Sequence, residues 1–487
     1  MLFNSYTFIF AFLPVMLLGY FWLLRQRLIL GSKVWLVGGS IFFYGYWNIV
    51  YIPLLLGSIF VNFFVGSALA NDKPLKVSKR ELLIFGILFN ILLLGYFKYT
   101  DFLLDNFNGL FGTDAPLHHI ILPLGISFFT FTQMAFLVDA YKEKVKEYDL
   151  LNYMLFVTYF PHLLAGPILH HSEMMPQFIN RWNWAVRWRN IAVGLFLFSI
   201  GLFKKVVIAD TFADCANTGF DVATTLNLVE AWATSLSYTL QLYFDFSGYT
   251  DMAIGISLMF NIRLPINFNS PYKAKDIQDF WRRWHITLSR FLRDYIYIPL
   301  GGNKVGRYHN YNNLFAVFLI GGLWHGASWM FVIWGALHGI AIVLHRIWKD
   351  LGLRMWGWMG WFITFNFINV TWIFFRAKDL ASVEKVLGGM FGFGGIALPQ
   401  KLAIKLNFLG AYGVKFKEQL FSNIDGMNDK DLILIVGIII LVVTMKNSGQ
   451  WSKKFNSNLP YTISTGFILS ISIIGLTHVS EFLYFRF

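Results

Sequence analysis

Between Trp35 and Ala70 the chain reads WLVGGSIFFYGYWNIVYIPLLLGSIFVNFFVGSALA, without a single Asp, Glu, Lys, Arg or His. A helix that crosses about 30 Å of hydrocarbon needs about 20 mostly apolar residues. This stretch is therefore long enough for two spans folded as a hairpin. Comparable runs flank it at Phe8 to Leu24, Leu82 to Phe97 and Ile120 to Ala140. More follow at Ile191 to Ala209, Leu314 to Leu344, Trp356 to Phe375, Leu432 to Val443 and Tyr461 to Leu476. The expected fold class is all-α, a polytopic integral membrane protein in one transmembrane domain over 1–487. The first run has no basic leader and no small-residue cleavage site before Arg25, so it reads as a span and not as a removed signal peptide.

Composition agrees. Of the 487 residues 56% are hydrophobic and 14% charged, against about 25% charged in a soluble domain. So little polar surface could not cover several separate globules. One cysteine, Cys215, excludes a disulfide scaffold, and the 41 Gly and 13 Pro follow no period. The net charge of +13 is compatible with nucleic acid or with a membrane, and the segment lengths select the membrane. Short cytoplasmic loops are enriched in Lys and Arg. Arg25, Arg27 and Lys33 follow the first run, and Lys73, Lys76, Lys79 and Arg80 precede Leu82. Lys142, Lys144 and Lys146 follow Ala140, and Lys446, Lys453 and Lys454 precede the last run. With these loops cytoplasmic, both chain ends start and finish outside, although the lysines between Lys401 and Lys430 fall in an outward loop.

Over 222–303 the hydropathy is broken too often for ordinary spans, which suggests a partly re-entrant or interfacial segment. Polar backbone at membrane depth survives only inside protein or along a wet cavity. Asp245 and Asp251 stand in apolar text, where an ionisable group is a functional-site candidate. Bonding backbone at helix ends would explain them equally well. Lys273, Lys275, Arg282, Arg283, Arg290 and Arg293 form a basic stretch with few acids. It suits anionic lipid headgroups or a phosphate-rich ligand gripped by guanidinium forks. His285 lies in WRRWH inside that stretch, and His325 lies in GGLWHGAS inside the run from Leu314. Either a packing role or catalysis accounts for a histidine in a membrane helix. A neutral imidazole facing a tunnel can take a proton from a hydroxyl, the task that acyl transfer requires. Gly321, Gly322 and Gly326 would let backbone or substrate come close to His325.

Other chemistries lack their motifs. There is no G-x-S-x-G elbow. Gly301 to Gly306 is followed by Arg307 and Tyr308, so it is no P-loop. His170 and His171 are adjacent without an H-E-x-x-H, so no metal site is expected. Cys215 has no histidine near it in sequence and reads as structural.

Three blocks carry a resemblance: YFDFSGYTDMAIG from Tyr243, NFNSPYKAKDIQDFWRRWHITLSRFLRDYIYIPLGGN from Asn267, and GGLWHGASWMFVIWGALHG from Gly321. Together they resemble the membrane-bound O-acyltransferases, in the branch of alginate O-acetylation and its peptidoglycan-acetylating relatives. LPLGISFFTFTQMAFLVDAY from Leu122 and FPHLLAGPI from Phe160 are similar to that branch too. The resemblance implies a ring of transmembrane helices around a thinned core pierced by a tunnel. It implies that His325 matches the family's essential histidine and His285 a second one nearer the cytoplasmic mouth. Asp245, Asp251, Asp279 and Trp324 would support the tunnel. Lys273, Lys275, Arg282, Arg283 and Arg293 would hold the phosphates of acetyl-coenzyme A, a substrate, with no bound cofactor. The activity implied is acetyl transfer across the inner membrane for O-acetylation of a cell-envelope or secreted polysaccharide. A periplasmic SGNH-type protein would be the partner supplying the serine nucleophile absent from this chain, alongside membrane lipids and without nucleic acid.

The tail 480–487, ending EFLYFRF, is similar to the aromatic C-terminal motif of the small peptide in teichoic-acid D-alanylation, where a tyrosine carries the acyl group. Tyr484 is the matching residue. The alternative is an interfacial aromatic anchor with Arg486 snorkelling. Two other functions fit the text: transfer of a different acyl group to lipid or protein, and a non-catalytic acyl or glycan transporter with broken helices.

Overall fold

A computed structural model describes every residue except 72–76, 425, 457, 478–479 and 484–487. The stretch from Trp35 to Ala70 does fold as two helices. Its break falls at Asn48, whose side chain accepts the Val50 amide and starts a tight turn at Ile49–Tyr51, and Pro53 follows in the next first turn, where its missing N–H is harmless. α1 (Leu13–Arg25) continues a π-helical turn at Thr7–Phe12, and α2 (Ile29–Gly45) and α3 (Ile52–Ala70) are the two helices of that stretch. α4 (Lys79–Phe111) opens on a capping box between Ser78 and Glu81 and closes on Gly112 at φ +63°. It runs far past Phe97, carrying Lys98 to membrane depth.

α5 (Ile126–Tyr141) corrects the reading of Ile120 to Ala140 as a span. Nearly all of its 16 residues are buried, and at about 1.5 Å per residue it is only about 24 Å long. A helix apolar on every side is surrounded either by lipid or by protein, and here protein surrounds it.

α6 (Trp188–Phe203) passes through a π-helical turn at Lys204–Ala209 and continues to Val222. Beside it lies α7 (Leu228–Met259), capped by Asn227 and Glu230. The polar text from Glu230 to Asp251 does not interrupt α7, because its side chains are buried in protein and not lipid. The two helices touch backbone to backbone. A Cβ on Gly194 would lie 2.6 Å from the Gly255 carbonyl oxygen, and one on Gly201 2.5 Å from that of Gly248. Small residues allow this approach, which drives helix association where apolar burial cannot.

After α7 come short turns and α8 (Ile286–Leu292), then α9 (Arg307–His325), α10 (Trp329–Asp350) and α11 (Gly357–Arg376). The apolar run Leu314 to Leu344 is thus two helices, broken at Gly326–Ser328. A two-stranded parallel pair, Ile396–Pro399 with Val414–Lys417, precedes α12 (Asp429–Thr444), α13 (Ser448–Lys453) and α14 (Leu459–Ile474). Among the described residues six helices are long and apolar enough to cross a membrane, including Thr7–Arg25, Lys79–Phe111 and Trp188–Val222. The protein is a multi-pass, helical membrane protein.

Candidate active site

His325 is the last residue of α9, at the apex of the α9–α10 hairpin. It sits 18 residues beyond Arg307, about 27 Å along the helix. Two glycines bring α10 against it. A Cβ on Gly322 would lie 2.4 Å from the Phe331 carbonyl oxygen, and one on Gly326 2.1 Å from the Phe331 ring. Lys98 of α4 donates to the carbonyl oxygens of Trp324 (2.7 Å) and His325 (2.8 Å), and Tyr99 donates to that of Leu323. An ammonium and a phenol therefore cap the carbonyls that the end of α9 leaves open, where the helix dipole favours a cation. The buried imidazole is surrounded by rings: Trp324 at 5.0 Å, Trp334 at 5.1 Å and Phe375 at 5.2 Å between centroids. Trp324 in turn stacks on Phe131 at 5.0 Å.

His285 faces it, with 6.5 Å between the two imidazole centroids. His285 precedes the first turn of α8 with φ +42°, a backbone that side-chain-bearing residues rarely adopt. The surrounding bonds hold it there. The Asn267 oxygen accepts from the Thr287 amide (3.1 Å) and the Thr287 hydroxyl (2.9 Å), which identifies it as oxygen, not nitrogen. His285 Nδ1 lies 3.2 Å from the same oxygen and must donate to it. Nε2 is then the ring's acceptor. The Thr287 hydroxyl also receives the Ile168 amide (3.0 Å), which ties the FPHLLAGPI segment to this network.

His338, within the quoted third block but not singled out from it, is different. Its Nδ1 accepts from Trp281 Nε1 at 3.2 Å. The Thr371 hydroxyl donates to the Ile368 carbonyl, so His338 Nε2 donates to Thr371 at 3.1 Å. With both nitrogens occupied, His338 is a packing residue.

A family model for MBOAT, the membrane-bound O-acyltransferase family, matches residues 70–383, which include both facing histidines. The chain belongs to that family. A peptidoglycan O-acetyltransferase of Helicobacter pylori is 50% identical over 519 aligned residues, covering 100% of this chain and 98% of that one. A probable alginate O-acetylase AlgI of Pseudomonas aeruginosa is 39% identical, covering 81% and 75%. A teichoic acid D-alanyltransferase of Bacillus subtilis is 27% identical, covering 54% and 71%. The protein is thus an O-acyltransferase.

In this acyltransferase the two intramembrane carboxylates are each paired with a lysine of the π-helical turn in α6. Lys205 Nζ lies 2.7 Å from Asp245 and 3.0 Å from Asp210, and Lys204 Nζ lies 2.6 Å from Asp251. These pairs bind α6 to α7, and they also hold the tail. Leu483 donates its amide to Asp245 (3.0 Å), Lys205 donates to the Glu481 carbonyl (3.2 Å), and the Ser480 hydroxyl donates to Asp210 (2.7 Å). Phe482 stacks on Tyr249 at 4.7 Å and meets Phe246 at 5.5 Å, and Phe246 packs edge-on against His285 at 4.8 Å. Phe482 and Leu483 are both buried. The tail therefore runs inward as far as Leu483, and Tyr484 and Arg486 lie outside the described residues.

The basic stretch is largely committed elsewhere. Lys273 donates to the carbonyls of Thr444 (3.2 Å) and Met445 (2.5 Å) at the end of α12. Arg283 pairs with Asp279, Arg290 with Glu173 and Arg293 with Asp294. Lys275 and Arg282 are exposed and form no ion pair among the described residues. Lys98 and Asn267 were missed in sequence. A lone cation inside a helix that outlasts its apolar run was the available signal for Lys98, whereas nothing local marks Asn267 as the partner of a residue 18 positions away.

Proposed function

We propose that the enzyme moves acetyl groups from acetyl-coenzyme A on the cytoplasmic side to a hydroxyl presented on the outer side, for O-acetylation of an envelope polysaccharide. The observation that carries this reading is the buried His285–His325 pair, 6.5 Å between ring centroids. His325 is fixed through its backbone by Lys98, and His285 through Asn267. Peptidoglycan is the preferred acceptor polymer, because the relative bearing that name matches over the whole chain, whereas the alginate relative matches over part of it.

In the proposed step His325 removes the proton from the attacking hydroxyl, whose oxygen bonds to the thioester carbonyl carbon. The C–S bond then breaks, and His325 returns the proton to the departing coenzyme thiolate. A neutral His285 with Nδ1 donating to Asn267 offers only an acceptor at Nε2. It therefore orients a donating group, such as the hydroxyl or an amide of the donor's arm, and not the thioester carbonyl. Lys275 and Arg282 are the cations of the basic stretch left to meet the donor's phosphates. Tyr484, directly after the buried Leu483, is the proposed first acceptor. A phenol of pKa about 10 deprotonates more readily than a sugar alcohol, and its ester stays activated. A periplasmic SGNH-type partner would then take the acetyl group on its serine.

Purified protein given acetyl-coenzyme A and an acceptor should release coenzyme A, and His325→Ala should lower that release by about 10²- to 10⁴-fold while remaining folded. Unchanged turnover would remove His325 as the base, and a transporter would release none even in the native protein. Mass spectrometry of the C-terminal peptide should find acetate on Tyr484. A fully active Tyr484→Phe enzyme would sink the relay.

A further inference from the structure

A second concave site lies away from the histidines, where α6 begins and α7 ends. It is a cavity of about 800 Å³ whose lining includes Arg187, Arg189, Arg263 and Lys453 and no carboxylate. None of these four cations forms an ion pair among the described residues. The segments that carry Arg187, Arg189 and Arg263 are held in place from several sides. Asn261, at φ +63°, donates to the carbonyls of Asn183 (2.9 Å) and Ala185 (2.8 Å) and accepts from Asn190 (2.9 Å). Gln177 grips Arg263 at both its amide (2.8 Å) and its carbonyl (3.0 Å), and Arg187 Nε donates to the Trp182 carbonyl (3.1 Å). The four side chains are exposed, and like charges gathered along one concave surface favour an anion there.

We propose that this cavity binds the phosphate headgroup of an acidic glycerophospholipid. Three features select that source of phosphate. The inner wall is aliphatic, from Val193, Leu197, Ile254 and Leu258, as the glycerol and first methylenes of a lipid require. Trp182 and Trp188 beside it are each 77% exposed, and exposed tryptophans mark headgroup level. The cavity also opens at the basic end of the molecule, and basic pockets between helices on a cytoplasmic face bind doubly charged headgroups. The thioester donor carries phosphates too, but α6 and α7 touch backbone to backbone at Gly194–Gly255 and Gly201–Gly248, which closes the direct way between these two helices at those points.

Native mass spectrometry of the detergent-purified protein with cardiolipin, phosphatidylglycerol or phosphatidylethanolamine tests this. Combined Arg187→Gln, Arg189→Gln, Arg263→Gln and Lys453→Gln should weaken cardiolipin binding about tenfold or more. Charge-matched Arg25→Gln, Arg27→Gln, Lys79→Gln and Arg80→Gln should change it less than about twofold. Equal loss in both, or loss in neither, overturns the site. Displacement of cardiolipin by acetyl-coenzyme A overturns the lipid assignment and makes the cavity the donor's. Where the fourfold variant melts earlier than the native protein, Arg189→Gln with Lys453→Gln replaces it, with an expected loss of about threefold; no loss there counts against the proposal.

Discussion

Lys98 touches the proposed base only through its backbone. Its ammonium spans the last two carbonyls of α9, including that of His325 itself. Removing it strands those oxygens and lets the apex of the hairpin shift. Lys98→Met should lower kcat between about ten- and a hundredfold, the scale of a misplacement of about 1 Å, and leave the KM for acetyl-coenzyme A unchanged. Steady-state coenzyme A release would show this, and an equal rise in KM would argue for loose donor binding. Asn267 acts on His285 in the same indirect way, by choosing which ring nitrogen carries the proton. Asn267→Asp, which keeps an acceptor at that position, should retain more activity than Asn267→Leu, and identical rates for the two would exclude the role.

At the scale of elements, the site depends on two helix pairs that approach through glycine. Gly322 of α9 meets α10 so closely that a Cβ there would lie 2.4 Å from the Phe331 carbonyl and 2.9 Å from Gly335. Gly321, one residue earlier, would place a Cβ 3.3 Å from the flexible end of Leu292. Gly322→Ala should therefore cost about 1–3 kcal/mol and abolish activity by parting the hairpin that carries His325. Gly321→Ala should be nearly neutral. Thermal unfolding of the two variants in detergent separates them, and equal melting points would refute the packing argument. The α6–α7 pair is fastened differently, by glycine contacts in the middle and by two buried ion pairs, each of which becomes a liability if one partner is removed alone.

Over the whole molecule, charge sets one face against the other. Arg25, Arg27, Arg187, Arg263 and Lys453 belong to one end of the helices, and Gly112 and the α9–α10 apex to the other. The positive-inside rule predicts that the first end faces the cytoplasm. With the buried Cys215 changed to Ser, Asp114→Cys should react with an impermeant thiol reagent in intact cells. Arg354→Cys should react only after permeabilisation. The reverse pattern would invert the proposed direction of transfer.

The linear text carried the membrane class, most of the helices and both facing histidines, because apolar run length and the residue blocks around His285 and His325 are local properties. Some elements were ambiguous for the same reason. Ile126–Tyr141 is as apolar as a span, and only its neighbours show that protein and not lipid surrounds it. The run from Leu314 reads as continuous, yet it turns at Gly326. Asp245 and Asp251 were visible as intramembrane charges, but Lys205 and Lys204, forty and 47 residues before their respective partners, lie beside them only once α6 packs on α7. The sequence by itself determined that this chain crosses a membrane and which two imidazoles are the candidates for acyl transfer, since hydropathy and motif are written residue by residue. Only the tertiary structure decided how those imidazoles are held, through Lys98 and Asn267, and where the tail is anchored, because hydrogen bonds between distant segments exist only after the helices have packed.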